Sequence, residues 1–295
     1  MKLTKLAISL GTALVLGSAM SGAQAAVQFY FPQTTFEDDN NDWFIDNNNN
    51  GLIDVGDRLV SAFEIGTTAD PFGSSSSPIG PGNELTGIID TIVATKTPGG
   101  FGSFLFTFAP YVASPYVDGA GGEVARAWLA SGADINLNLP GQNCTSLADC
   151  AAKASDGLPF LSVGFDGDPD NYFAFVGTDR PSDVAAGSAG TSFTSANFAL
   201  SILLNMTGLN FGTLDCTNNP LNNASLPGFC DGALDDGEAE MVGSGSILGG
   251  KGLTNGAFGR SDFDFNVAPI PEPGSLALLG LGLLGLAGIR RSKRA

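Results

Sequence analysis

The sequence predicts a mainly β protein, an antiparallel β-sandwich or jelly-roll-like domain, and three observations carry that expectation. Short segments alternate apolar and polar residues with a period of two, glycine occupies 41 of 295 positions, and only 15% of residues are charged. Strands of this kind, punctuated by Gly, Pro, Asn and Asp, bury one face and leave the other to solvent. No internal repeat runs through the chain, which argues against a solenoid or propeller.

The chain begins with Lys2 and Lys5, an apolar run over 6–16 and the triplet Ala23-Gln24-Ala25. A positive start, a short apolar centre and an A-x-A site define a secretory signal peptide, residues 1–25, read by the secretion translocon and cut by signal peptidase. The exported β-rich domain follows over 26–268. Within it, 84–95 carries Leu85, Ile88, Ile89, Ile92 and Val93, and 103–108 alternates Phe104, Phe106 and Phe108. Residues 133–139 set Ile135, Leu137 and Leu139 against Asp134, Asn136 and Asn138, a clean strand period. Segments 159–165 and 172–176 read as neighbouring strands joined by the acidic turn of Asp166, Asp168 and Asp170. Residues 192–206 fit one long strand, two strands or a helix. Segment 258–267 places Phe263, Phe265 and Val267 on one face and Asp262, Asp264 and Asn266 on the other. The best helix inside the domain is 123–130, and the Gly/Ser-rich stretch 66–82 reads as a flexible loop.

Charge excludes several functions. The chain has 13 basic and 30 acidic residues, a net charge of −17, and no histidine. Without histidine there is no Ser-His-Asp or Cys-His catalytic arrangement and none of the usual zinc ligands. The acidity excludes nucleic acid as a partner, since phosphate neutralisation needs clustered Lys and Arg. Six of the 13 basic residues lie in the first 25 or last 25 positions, with one of the 30 acidic ones, so 26–270 retains 7 basic against 29 acidic residues, a balance of −22. Such a surface invites divalent cations.

One motif carries specific chemistry. The run from Asp46 to Asp57 places oxygen side chains at loop positions 1, 3 and 5 (Asp46, Asn48, Asn50), Gly51 at the sharp turn and the Leu52 carbonyl at 7. Asp54 at 9 and Asp57 at 12 complete a hard-oxygen set suited to Ca²⁺. The order resembles an EF-hand or dockerin-type calcium loop, with Asp in place of Glu at the last position. The resemblance implies a calcium-loop segment over 37–65 and roughly 10⁻⁴–10⁻³ M affinity, that of extracellular modules. The residues before the loop make a poor entry helix, whereas 58–65 offers an exit helix through Leu59, Val60 and Phe63. A weaker second register, Asp38, Asn40, Asp42, Ile45 and Asp46, lies eight residues upstream.

Four cysteines, Cys144, Cys150, Cys216 and Cys230, suit disulfides in an exported protein. Of the three possible pairings, the local one is favoured, Cys144 with Cys150 and Cys216 with Cys230, because each pair brackets a polar, loop-like segment.

The tail is an address. Pro271-Glu272-Pro273 precedes an uncharged Gly/Leu run over 274–289, then Arg290, Arg291, Lys293 and Arg294. Sixteen helical residues span about 24 Å, and the terminal cations act as a cytoplasmic stop. Triplet, membrane helix and Arg cluster in this order resemble the PEP-CTERM sorting signal of Gram-negative bacteria, here 269–295. The resemblance implies processing by an exosortase, transient anchoring in the inner membrane, and delivery to the cell surface or extracellular matrix. The run Ser261 to Asn266 is similar to flocculation-associated members. The expectation is therefore a non-enzymatic surface or matrix protein, supported by calcium and acting in biofilm or floc formation with acidic exopolysaccharide. The alternatives are a polysaccharide hydrolase or lyase using paired carboxylates, which needs no histidine, and a carbohydrate-binding module presenting Trp43, Tyr111, Tyr116, Trp128 and Tyr172.

Overall fold

A computed structural model describes residues 27–217, 230 and 236–271. Fourteen strands and two α-helices occur among them. In chain order the strands are β1 (Thr34–Ile45), β2 (Arg58–Ala69), β3 (Ser76–Pro78), β4 (Asn83–Pro98), β5 (Phe104–Pro110), β6 (Glu123–Ser131), β7 (Leu158–Gly164), β8 (Tyr172–Gly177), β9 (Ser192–Asn205), β10 (Asn210–Gly212), β11 (Leu214–Asp215), β12 (Glu238–Ala239), β13 (Met241–Gly249) and β14 (Gly259–Ile270). Helix α1 (Leu147–Ala154) lies between β6 and β7, and α2 (Pro181–Ala186) between β8 and β9.

Every pairing is antiparallel, and the main sheet returns on itself. Its path runs β2-β1-β14-β13-β9-β7-β6-β4, and β4 pairs again with β2. Two long strands change partners to achieve this. β4 lies against β6 over its first half and β5 over its second. β9 meets β8 through its first half and β7 through its last residues. The sandwich-like body thus protects most of its strand edges by pairing them, which suppresses edge-to-edge association. The enclosed core is phenylalanine-rich: Phe36, Phe63, Phe106, Phe108, Phe173, Phe175, Phe198 and Phe263 are buried together. Their rings meet edge-on or tilted, as between Phe173 and Phe198 at 5.6 Å and Phe175 and Phe263 at 5.9 Å, geometries that quadrupolar rings favour.

A second core sits outside the sheet. Val60 and Ala62 of β2, Ile88 of β4 and Trp128 of β6 are covered by Ile135, Leu137, the Cys144–Cys150 pair and Ala151 and Ala154 of α1. β2 is therefore buried on both faces through its middle. Helix α1 is capped by Ser146, which accepts from the Asp149 N–H, and Asp149 in turn accepts from Thr145.

Several expectations change here. Residues 58–65 form β2 rather than an exit helix, and 123–130 belong to β6, because both segments sit between two hydrogen-bonding neighbours. Local helix preference yields to that ladder. Residues 133–139 form no strand: their alternation is real, with Ile135 and Leu137 buried, but side chains satisfy the backbone. Glu84 accepts from the Asp134 and Ile135 N–H groups, and Glu64 accepts from Leu137 N–H. The stretch 66–82 is ordered, pairing 67–69 with β3 around a turn that Asp70 ties to Phe72 and Ser74. Residues 192–206 resolve as the single strand β9 over 192–205, and the acidic turn does join β7 to β8. The cysteines pair locally, Cys144 with Cys150 and Cys216 with Cys230, at Cα separations of 5.0 and 5.7 Å.

Candidate functional site

Residues 46–57 connect β1 to β2, so the twelve-residue loop closes a β-hairpin whose last pair is Ile45 with Arg58. Successive Asx turns curl it. Asp46 Oδ1 accepts from Asn48 N–H, Asn48 Oδ1 from Asn50 N–H, and Asn50 Oδ1 from Leu52 N–H at 2.7 Å. Asp46 Oδ2 reaches across the curl to Gly51 N–H at 2.7 Å. Gly51 has φ +77°, a conformation that costs any residue with a Cβ. Asp57 is 1% exposed and clamps the loop shut: one oxygen accepts from Asn47 N–H at 2.8 Å, the other from Asp54 N–H at 2.7 Å. The six expected ligands, Asp46, Asn48, Asn50, Leu52, Asp54 and Asp57, therefore share one compact loop built on oxygen.

Two residues with no signal in the sequence join it. Lys96, near the end of β4, places its ammonium 3.0 Å from Asp54 and 2.8 Å from Asp179. Asn50 Nδ2 donates to the other Asp54 oxygen at 2.6 Å. The Asn50 hydrogen bond, then Lys96, holds the Asp54 carboxyl below its usual range. The donor set fits Ca²⁺, since hard oxygens dominate and position 9 commonly reaches the ion through water. Lys96 occupies one Asp54 oxygen, backbone N–H groups hold both Asp57 oxygens, and the carboxylates of Asp46, Asp54 and Asp57 do not converge within 4.8 Å of one another.

The upstream register does not form a turn. Asp38, Asn40 and Asp42 lie in β1 and are buried. Asp38 accepts from Phe263 N–H, and Asp42 from Ser61 and Ser261. Burial pushes the Asp42 carboxyl up to about 7. In the acidic turn, Asp170 accepts from Gly237 N–H at 2.7 Å and so holds the start of β12 against the β7–β8 connection.

The aromatic residues expected to face solvent do not form a platform. Trp43, Trp128 and Tyr172 are only 6%, 7% and 6% exposed, and half-buried Tyr111 carries the Arg58 guanidinium 4.1 Å from its ring centre. Trp43 and Trp128 belong to the second core.

The Ser261–Asn266 run is the middle of β14, between β1 and β13. Phe263 turns inward, whereas Asp262 and Asp264 lie on the outer face with Glu37 and Asp39. Burial first, then repulsion by Asp262 and Glu37, raises Asp264 to about 6. β14 continues to Ile270, paired to β10, and Pro271 is the next residue. The sorting triplet thus begins directly at the end of a central strand. The signal peptide, Glu272, Pro273, the membrane helix 274–289, Arg290 and Arg291 lie outside the described residues. Among those described, no helix is long and apolar enough to cross a membrane.

Comparison with family models supplies the class: residues 269–292 match the PEP-CTERM protein-sorting motif. The chain is an exported protein bearing the tail by which exosortases recognise their substrates. Comparison with curated proteins and with solved structures finds no match.

Proposed function

We propose that this chain is a non-enzymatic surface or matrix protein, released from the inner membrane by exosortase and acting with acidic exopolysaccharide in biofilm or floc formation. The observation that carries the calcium part of the reading is the oxygen-lined hairpin loop at 46–57, in which Asp46 spans the curl to Gly51 N–H and Asp57 clamps both ends. A cation there neutralises part of a body carrying a balance of −22. Calcium held on such an acidic surface also offers open coordination positions to polymer carboxylates. The carboxylate row Glu37, Asp39, Asp262 and Asp264 extends the same chemistry over the outer sheet face.

The test is thermal unfolding of the secreted protein in EGTA and in millimolar calcium, with retention in the cell matrix measured in parallel. Calcium is expected to raise the midpoint by several degrees, and the Asp46→Asn/Asp54→Asn variant to lose most of that rise and wash out of the matrix more readily. Equal midpoints and equal retention with and without calcium would overturn the calcium reading.

A further inference from the structure

A second carboxylate cluster lies at the opposite end of β4 from Lys96. Twelve residues separate Glu84 from Lys96, about 40 Å along an extended strand, so this cluster shares nothing with the 46–57 loop. Glu84 of β4, Asp134 just after β6 and Asp156 just before β7 each bring one carboxylate oxygen within 4.8 Å of the others. Asp134 and Asp156 are exposed, whereas Glu84 is 4% exposed.

The Glu84 carboxylate is only half satisfied. Its Oε2 accepts from Asp134 N–H at 2.9 Å and Ile135 N–H at 3.3 Å. Its Oε1 is fully buried and has no hydrogen-bond partner. None of the ion pairs among the described residues involves these three acids. A buried carboxylate oxygen without a partner is costly, and two more negative groups beside it increase the cost. A cation removes both penalties together. With Ca–O distances of about 2.3–2.6 Å, oxygens on opposite sides of a calcium ion stand about 5 Å apart. Three oxygens within 4.8 Å can therefore share one ion without rearranging the backbone.

We propose that Glu84, Asp134 and Asp156 form a divalent-cation site, its all-oxygen donors suited to a hard ion such as calcium, that clasps the cover of the second core. The two exposed acids stand at the two ends of the β6–β7 excursion, and the buried one belongs to the sheet beneath it. Between them lie Ile135, Leu137, the Cys144–Cys150 disulfide and α1. An ion at this point ties the start of the cover, its end and β4 into one unit. Thr86 Oγ1, two residues along β4, already donates to Ala154 O at 3.0 Å on the same side.

The test uses the secreted protein stripped with EGTA, in four forms: parent, Asp46→Asn/Asp54→Asn, Asp134→Asn/Asp156→Asn, and Glu84→Gln. Calorimetric titration with CaCl₂ is paired with hydrogen exchange of residues 135–155. The 46/54 variant is expected to retain one calcium site and to show at least tenfold slower exchange in the cover when calcium is added. The 134/156 variant is expected to lose that site and that slowing while folding as the parent does, since both positions are exposed. Glu84→Gln should behave likewise. If the 46/54 variant binds no calcium, or if the 134/156 variant binds and protects as the parent does, the clasp is overturned. Loss of calcium binding in the 134/156 variant with no change in the 46/54 variant would instead retain the clasp and remove the hairpin loop. Polysaccharide cleavage in EGTA that disappears in Glu84→Gln would assign these acids to catalysis and overturn the clasp.

Discussion

At the scale of single residues, buried acids dominate the chemistry of this protein. Asp42 accepts from two serine hydroxyls through Oδ1, at 2.5 Å from Ser61 and 2.9 Å from Ser261, while Oδ2 is buried without a partner. Desolvation outweighs those hydrogen bonds and the nearby Arg260 charge, so the folded value of about 7 lies above the ordinary 3.8. A carboxyl raised on folding stabilises the native state below its unfolded value, and that contribution is lost as pH rises through the folded value. The difference is worth about 4 kcal/mol at neutral pH. Asp264, raised to about 6, and Asp38, raised well above its usual range, act in the same direction. The urea midpoint is therefore expected to fall between pH 5 and pH 8. Asp42→Asn, which mimics the neutral acid, should flatten a large part of that fall; an unchanged slope would show that Asp42 does not titrate with folding.

At the scale of elements, the excursion between β6 and β7 is the least regular and most informative piece. It lacks a strand partner, yet it buries Ile135 and Leu137 as completely as a strand would, because Glu84, Glu64 and Asn41 supply the hydrogen bonds. Its conformation rests on side chains that are remote in sequence. The disulfide within it closes a short loop and is itself buried beside Asn255. Loop-closure entropy for a separation of six residues gives about 2 kcal/mol. Cys144→Ser/Cys150→Ser should lower the thermal midpoint by about 4–8 °C. Hydrogen exchange should rise first in 135–155, with the β9, β13 and β14 amides still protected. Uniform loss of protection would instead mean that the cover and the closed sheet unfold as one unit.

At the scale of the whole molecule, net charge and closure set opposing demands. The body carries a balance of −22 and forms five ion pairs among its described residues, so repulsion exceeds attraction at the surface. Monovalent salt shortens the range of that repulsion to about 10 Å at 0.1 M. Raising NaCl from about 10 to about 150 mM in EGTA is expected to lift the unfolding midpoint by a few degrees. A falling midpoint would mean that the ion pairs outweigh the repulsion. The sheet resists the same repulsion by returning on itself through the β4–β2 pairing and enclosing its phenylalanines. β14 runs into Pro271, so the matched sorting motif, 269–292, begins within the last residues of that strand, where they pair with β10.

Much of this was legible in the chain. The sorting motif and the alternation of 258–267 are local patterns, and local patterns need only neighbouring residues to act. The disulfide pairing was legible for the same reason, since each pair closes a short segment. What the sequence left open depends on distant partners. Whether 58–65 and 123–130 became helix or strand was decided by β1, β4 and β7 arriving on either side. Whether 133–139 joined a ladder was decided by Glu84 and Glu64 reaching its amides first. Lys96 came to Asp54, and Asp156 to Glu84, only because antiparallel pairing brings remote stretches to the same end of the body. Periodicity determined which residues face inward; only the closed sheet decided which carboxylates would meet, since a hydrogen-bond partner is chosen by position in space.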